Sequence, residues 1–267
     1  MKKFNGARIL VLDVETSPII SYTWGLFDQN VALNQIKQDW NLLSYACKWL
    51  GEPKSKVMYA DQRNAKNVHD DKDLLLGVWE LLDQADVVLT QNGKKFDTKK
   101  LNARFLINGM KPPSSYKQID TLVIAKRMFS LTSNKLEYMT NKLCTKYKKL
   151  KTKKFQGFDL WSECLKGNLS AWNEMKKYNI YDILSLEELY TKLRAWNNDG
   201  INFNLYSDSL EMICSCGSKS FRNKGFTYTA SGKYTRHRCN KCGSEIRGNT
   251  NLFEKDKRKS LMKGTVR

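Results

Sequence analysis

Ala7-Arg8-Ile9-Leu10-Val11-Leu12-Asp13-Val14-Glu15-Thr16 is the stretch on which the fold turns. A near-continuous apolar run rich in branched residues predicts a β-strand buried on both faces. Side chains alternate along a strand, so Asp13 and Glu15 point to the same side of the sheet. Two carboxylates that close repel unless a cation lies between them or one takes up a proton. By itself the pair is equally a strand end running into a solvated turn, and the rest of the chain has to decide.

Outward from this strand, an aromatic-rich segment covers Ser17 to Trp40. Further strands are expected at Leu42 to Leu50 and Lys56 to Ala60. Asp71 or Asp73 caps a helix to about Ala85, with Leu74, Leu75, Val78, Leu81 and Leu82 at helical spacing. A short strand, Asp86 to Thr90, leads through Gln91-Asn92-Gly93 into a helix from Asp97 to Asn108, which Gly109 ends. A strand near Lys117 to Ile119 precedes a helix headed by Asp120, and another helix spans Asn134 to Leu143. The longest helix runs from Ser170, a candidate N-cap, to about Trp196. Strands followed by alternating helices and strands make the class α/β, a mixed sheet with helices on its faces. The expected organisation is a main domain over 1–200, a cysteine module over 201–250 and a basic, disordered tail over 251–267.

The 267 residues carry a net charge of +19 and a pI near 9.6, which favours a polyanionic partner, nucleic acid before membrane. No apolar run approaches a membrane span, and the apolar stretch after Met1-Lys2-Lys3 is cut by Asp13, too soon for a signal core. The expected location is a reducing cytoplasm. There Cys47, Cys144 and Cys164 read as small buried hydrophobes, and the clustered Cys214, Cys216, Cys239 and Cys242 as metal ligands. Lys142 to Lys154 holds seven lysines and no acid, either a solvated face or a phosphate track.

Asp97 alone is an ordinary helix start, and Tyr178 and Asp182 alone are one face of an amphipathic helix. Together, Asp13-x-Glu15, Asn92-x-x-x-Phe96-Asp97 and Tyr178-x-x-x-Asp182 resemble the three signature motifs of the DnaQ-like 3′–5′ exonucleases. The tyrosine resembles that of the DEDDy branch, which includes proofreading domains of family B polymerases. Ile119-Asp120-Thr121-Leu122 and Lys177 to Asp182 look like YprB-type ribonuclease H-like proteins, and the cysteine module like versions carried by bacteriophages.

The resemblance implies a two-metal hydrolysis of phosphodiester bonds from a 3′ end, with two Mg²⁺ or Mn²⁺ ions clamping the attacking and leaving oxygens. Hard carboxylate oxygens suit such ions. It also implies that Asp13 bridges the metals, Glu15 and Asp182 hold the one that activates water, and Asp97 holds the leaving-group metal. Tyr178, a poor base at neutral pH, orients water through its hydroxyl. Thr16, Asn92 and Phe96 are expected to contact the terminal nucleotide, Phe96 being as well suited to the core. His69 and His237 lie outside every motif. The implied partner is DNA, with RNA open because nothing here reads the 2′-hydroxyl, and a separate polymerase or replisome component is a further implied partner. Phage replication or repair is the implied setting. Two rivals stand beside this: a non-catalytic nucleic-acid-binding protein, and a transposase- or resolvase-type nuclease of ribonuclease H-like fold.

Cys214-Ser-Cys216-Gly217-Ser218 and Cys239-Asn-Lys-Cys242-Gly243-Ser244 look like the two knuckles of a β zinc ribbon holding one structural Zn²⁺. The first is Cys-x-Cys where such ribbons have Cys-x-x-Cys, which leaves His237 as an alternative ligand. Between them Arg222, Lys224, Lys233, Arg236 and Arg238 interleave with Phe221, Phe226, Tyr228 and Tyr234. That pattern suits single-strand binding with the aromatics inside and the cations outside.

Overall fold

A computed structural model describes residues 6–150, 154–197 and 200–262. In chain order the first part comprises β1 (Ile9–Thr16), β2 (Ile20–Ser21), β3 (Ile36–Gln38), β4 (Leu42–Trp49), β5 (Met58–Asp61), α1 (Lys72–Asp83), β6 (Val87–Thr90) and α2 (Asp97–Ile107). There follow β7 (Lys117–Asp120), α3 (Thr121–Met128), α4 (Leu136–Leu143), α5 (Asp159–Leu165) and the long α6 (Leu169–Leu193). The chain divides into two compact units, one over Arg8–Tyr190 and one from Thr191 onward, at the last turn of α6. The segment Asn197 to Gly200, where a boundary was expected, has its residues 198–199 outside the described part.

The apolar run is the centre of a five-stranded sheet of order β5-β4-β1-β6-β7. β4 lies antiparallel to β1, and β6 parallel to it on the other edge. With β5 antiparallel to β4 and β7 parallel to β6, the sheet is mixed, as the strand-helix order implied. Alternation sorts the side chains of β1. Leu10, Leu12 and Val14 pack with Leu75 and Val78 of α1 and Leu101 and Phe105 of α2. Burying each such side chain contributes about 1.5–3 kcal/mol. Asp13 and Glu15 therefore leave on the opposite face, which α6 covers. There Ser44 of β4 donates to Asn179 (3.1 Å), and the fully buried Lys48 pairs with Glu187. A second core of Leu43, Leu160, Cys164, Trp172 and Met175 closes that side.

Two local expectations need correcting, and one helix was not expected. Asp71 precedes α1 but does not cap it; its buried carboxylate accepts the Leu42 N–H (2.7 Å) and both prongs of Arg104 (2.8 and 2.6 Å). A buried charge needs a partner more than a helix end does. Ser170 is not the cap of α6: Asn168 accepts the Ser170 N–H instead (3.0 Å). The seven-residue α5 is too short for its periodicity to show in the sequence. Cys47, Cys144 and Cys164 are buried as expected.

The second unit holds an antiparallel sheet of β8 (Phe221–Thr229), β9 (Gly232–Cys239) and β10 (Glu245–Arg247), with β9 central. An exposed five-residue helix, α7 (Lys255–Lys259), lies within the stretch expected as a tail, whose last residues, 263–267, are outside the described part. Among the described residues no helix is long and apolar enough to cross a membrane.

Candidate active site

Asp13 and Glu15 of β1 meet Asp182 of α6, each offering an oxygen within 4.8 Å of the others. The strand's alternation aims the first two at α6, and the helical turn from Tyr178 to Asp182 brings both of its residues to the sheet. Asp97 comes from a third direction. Past Val11, β1 has no strand partner on its β6 edge, and Asp97 Oδ1 accepts the Val14 N–H there (3.1 Å) instead of capping α2. Asp97 is thus tied to the peptide between Asp13 and Glu15.

The loop delivering Asp97 is strongly determined. Asn92 has a left-handed backbone (φ 66°), and a Cβ on Gly93 would lie 2.2 Å from Thr90 Oγ1. Asp120, expected as a helix cap, accepts the Leu122 N–H (3.0 Å) in that role. It also accepts the N–H groups of Asn92 (2.8 Å) and Lys94 (3.3 Å), gripping the loop. Phe96 is exposed rather than core, with Lys100 Nζ 5.8 Å from its ring. Thr16 is half-buried at the bulge that ends β1, next to Glu15.

Crowding of acids dominates the electrostatics. Burial, with Asp182 close by, pushes Glu15 up to about 8. Burial also raises Asp97 to about 7 against the pull of its backbone hydrogen bonds. Asp13 is raised by burial and by the charges of Asp182, Glu15 and Asp97, and Asp182 by burial. Lys149 donates to Asp182 Oδ2 (2.6 Å) and is the compensating cation. The other oxygen, Asp182 Oδ1, is buried without a hydrogen-bond partner. An orphaned carboxylate oxygen on a residue clustered with two more acids fits a hard divalent cation, Mg²⁺ or Mn²⁺.

The unfolded carboxylates titrate near 4, so between about pH 4 and 8 the acid cluster of the folded, metal-free first unit binds more protons than the same groups do in the unfolded chain. Its stability therefore falls as pH rises through that window. Melting in EDTA from pH 5 to 8.5 should show a falling midpoint, with a shallower slope in Glu15→Gln. Mn²⁺ should raise the midpoint more at pH 8 than at pH 6, because binding displaces protons.

Sequence reasoning missed three residues at this site. Asn179 donates to Asp13 Oδ2 (2.5 Å) while accepting from Ser44, and so fixes the orientation of Asp13. Its position beside Tyr178 was the available signal. Trp161 of α5 packs edge-on against Tyr178 (6.1 Å) and pulls Glu15 down against the upward push of burial. Lys149 comes from the seven-lysine run, of which 151–153 lie outside the described part. That run is not simply a solvated face. Glu188 accepts the N–H groups of Thr145 (2.7 Å), Lys146 (3.1 Å) and Tyr147 (2.8 Å) and holds the strap so that Lys149 reaches Asp182. Burial and the Asp182 charge raise the Tyr178 hydroxyl above its ordinary value, so it stays a donor and not a base.

In the second unit the sulfurs of Cys214, Cys216, Cys239 and Cys242 lie within 4.8 Å of one another. Cys214 and Cys242 are 3.5 Å apart, and Cys216 and Cys239 3.6 Å, too long for disulfides. A tetrahedron with Zn–S bonds of about 2.3 Å has edges of about 3.8 Å, so the cluster nearly fits Zn²⁺. Both knuckles close alike despite the missing residue in the first. Cys214 N–H donates to Ser218 O and Cys239 N–H to Ser244 O (both 2.9 Å), with left-handed Gly217 and Gly243 at the turns. His237 is not a member of the cluster. The aromatics are not all inside: Phe221 packs on the cysteines, whereas Phe226 and Tyr228 are exposed. Lys233 lies over Phe226 (4.0 Å) and Arg247 over Tyr234 (4.2 Å).

Residues 46–194, more than half of the chain, match the family model of the RNase_H superfamily. The chain belongs to the RNase_H superfamily. The span that matches in this RNase_H superfamily member contains Asp97, Tyr178 and Asp182, while Asp13 and Glu15 precede it and join the site through β1. Membership supports a nuclease, a hydrolase whose substrate is nucleic acid. A search of curated proteins finds no match. Among solved structures the superfamily member is similar to the family B DNA polymerase from the hyperthermophilic archaeon Pyrobaculum calidifontis. The identity is 11% and the TM-score 0.46, over 75% of this chain and 27% of that one. The chain thus spans about a quarter of the polymerase's length.

Proposed function

We propose that this chain is a Mg²⁺- or Mn²⁺-dependent 3′–5′ exonuclease acting on single-stranded DNA, with residues 1–200 as the nuclease and 201–250 as a zinc ribbon. The observation that carries the reading is the clustering of the Asp13, Glu15 and Asp182 carboxylates, with Asp182 Oδ1 buried and without a hydrogen-bond partner and Asp97 tied to the same strand. Bound there, a pair of divalent ions would supply a nucleophilic hydroxide at neutral pH and stabilise the leaving alkoxide. Asp13 would serve both ions, Glu15 and Asp182 the water-activating one, and Asp97 the leaving-group one. Asn179 holds Asp13 in a single rotamer for this task. Tyr178, kept protonated, orients the attacking water by its hydroxyl. Lys149 neutralises part of the acid cluster and is within reach of a phosphate oxygen entering beside Asp182.

The test uses 5′-labelled single- and double-stranded DNA and RNA with Mg²⁺, Mn²⁺ or EDTA. A metal-dependent ladder shortening from the 3′ end is expected, strongest on single-stranded DNA. Asp97→Ala should lose the ladder yet retain oligonucleotide affinity, which separates an enzyme from a binding protein. Internal nicking or strand transfer would instead favour a resolvase- or transposase-type nuclease.

A further inference from the structure

The aromatic-rich segment after β1 is not core. Ser17 and Asn41 pinch its ends together. The Ser17 N–H donates to Asn41 O, the Asn41 N–H to Ser17 Oγ, and Ser17 Oγ to Asn41 Oδ1, each at 2.8 Å. Between them the chain leaves the sheet as an arm with its own pairing of β2 and β3. Gln35 clasps it, donating to Tyr22 O (3.0 Å) and accepting the Ala32 N–H (2.8 Å). This built arm nevertheless turns its apolar side chains outward: Tyr22, Trp24, Leu26 and Phe27 are 66%, 97%, 92% and 83% exposed. Clustered exposure of this kind marks an interaction surface.

Composition and position say what kind of surface. In a chain of net charge +19, the arm from Ser17 to Trp40 carries only Asp28, Lys37 and Asp39 as charged residues. It is therefore poorly made for phosphates, whereas its rings suit flat, uncharged faces. It springs from the strand end that carries Asp13 and Glu15, two residues before the pinch. Its other root also points to the site: Lys100 Nζ lies 3.6 Å from the Trp40 ring and 5.8 Å from that of Phe96, the residue before Asp97. Lys37 sits over Tyr22 (6.0 Å). Rings paired with single cations thus occur beside Asp97, at the root of the arm and within it.

We propose that this arm is a base-stacking platform, taking unpaired nucleobases of the strand whose end lies at the acid cluster. The inference rests on the nuclease reading for the identity of that strand. Every base has a π-face, so stacking on Trp24 and Phe27 holds a single strand with little sequence preference. Phosphate contacts are left to the lysines elsewhere.

The experiment compares full-length wild type, Trp24→Ala/Phe27→Ala and the ring-preserving Trp24→Phe/Phe27→Tyr. Anisotropy with 5′-fluorescein 20-mers of DNA and RNA in EDTA reads affinity, and Mn²⁺-dependent hydrolysis of the p-nitrophenyl ester of thymidine 5′-monophosphate reads the acid cluster alone. The double alanine variant should bind single strands roughly tenfold to a hundredfold more weakly. The ring-preserving variant should stay within about twofold of wild type, and all three should hydrolyse the ester alike. Unchanged oligonucleotide affinity in the alanine variant overturns the proposal. If that variant instead loses self-association in sedimentation, or loses vesicle binding, the arm belongs to a second copy or a membrane. Failure of the wild type to cleave the ester, or the labelled oligonucleotides once Mn²⁺ is added, would sink the nuclease reading, while the affinity comparison would still judge the arm.

Discussion

Asp13→Asn is expected to lower hydrolysis by at least about 10³-fold while raising the melting temperature of the metal-free protein. The two effects have one cause. Asp13 is pressed by Asp182, Glu15 and Asp97 in a poorly solvated place, and every one of those charges raises its proton affinity. An amide of the same shape removes the repulsion, still accepts from Asn179 and can donate to a neighbouring carboxylate. Folding gains, because fewer like charges are then crowded around Lys149. Catalysis loses, because the residue that would serve both ions offers one weak neutral ligand in place of a carboxylate; a 10³-fold loss is about 4 kcal/mol of transition-state stabilisation. Single-turnover hydrolysis and thermal melting in EDTA, on the same preparations, test the pair. Loss of activity together with loss of stability would make Asp13 a structural residue and not a metal ligand.

Removal of metal from the cysteine cluster should unfold the second unit and leave the first standing. The buried cluster there consists of Cys214, Cys216 and Cys239, with Phe221 and Cys242 packed against it. So small a core cannot offset the chain entropy of its sheet, whereas a structural zinc site contributes roughly 10–16 kcal/mol in small metal modules. Burial alone would raise the Cys239 thiol, but the N–H groups of Cys242 and Lys241 outweigh it and bring it down to about 6, so one thiolate is ready for the ion. Metal analysis should give one Zn²⁺ per chain. Cys239→Ser, or treatment with a thiol-modifying reagent and chelator, should open the cysteine cluster and the β8–β10 sheet to protease. The unit over Arg8–Tyr190 should resist. A second unit that stays protease-resistant without metal would refute the zinc assignment.

Much of the first unit was legible in the residues because the signals were local. The apolar run with Asp13 and Glu15 at its end encodes a strand, its burial and a shared face in ten consecutive positions, and Tyr178 and Asp182 share a helix face by spacing alone. The paired cysteines announced their cluster in the same way. Local readings failed where a group had a remote partner to satisfy. Asp71 gave up its helix for Arg104, 33 positions away, and Asp97 ties itself to Val14, 83 positions away.

Composition and short-range periodicity thus indicated the main strands and helices of the first unit, which face of β1 bears acids and where sulfur clusters. The order of strands and the crossing of α6 settled that Lys149 and Asn179 enter the acid cluster, and the tertiary structure alone shows that the aromatic arm faces outward. The physical reason is range. Backbone geometry and alternation act over a few residues, whereas the pairing of buried charges and the choice of which rings are covered depend on groups brought together only when the sheet closes.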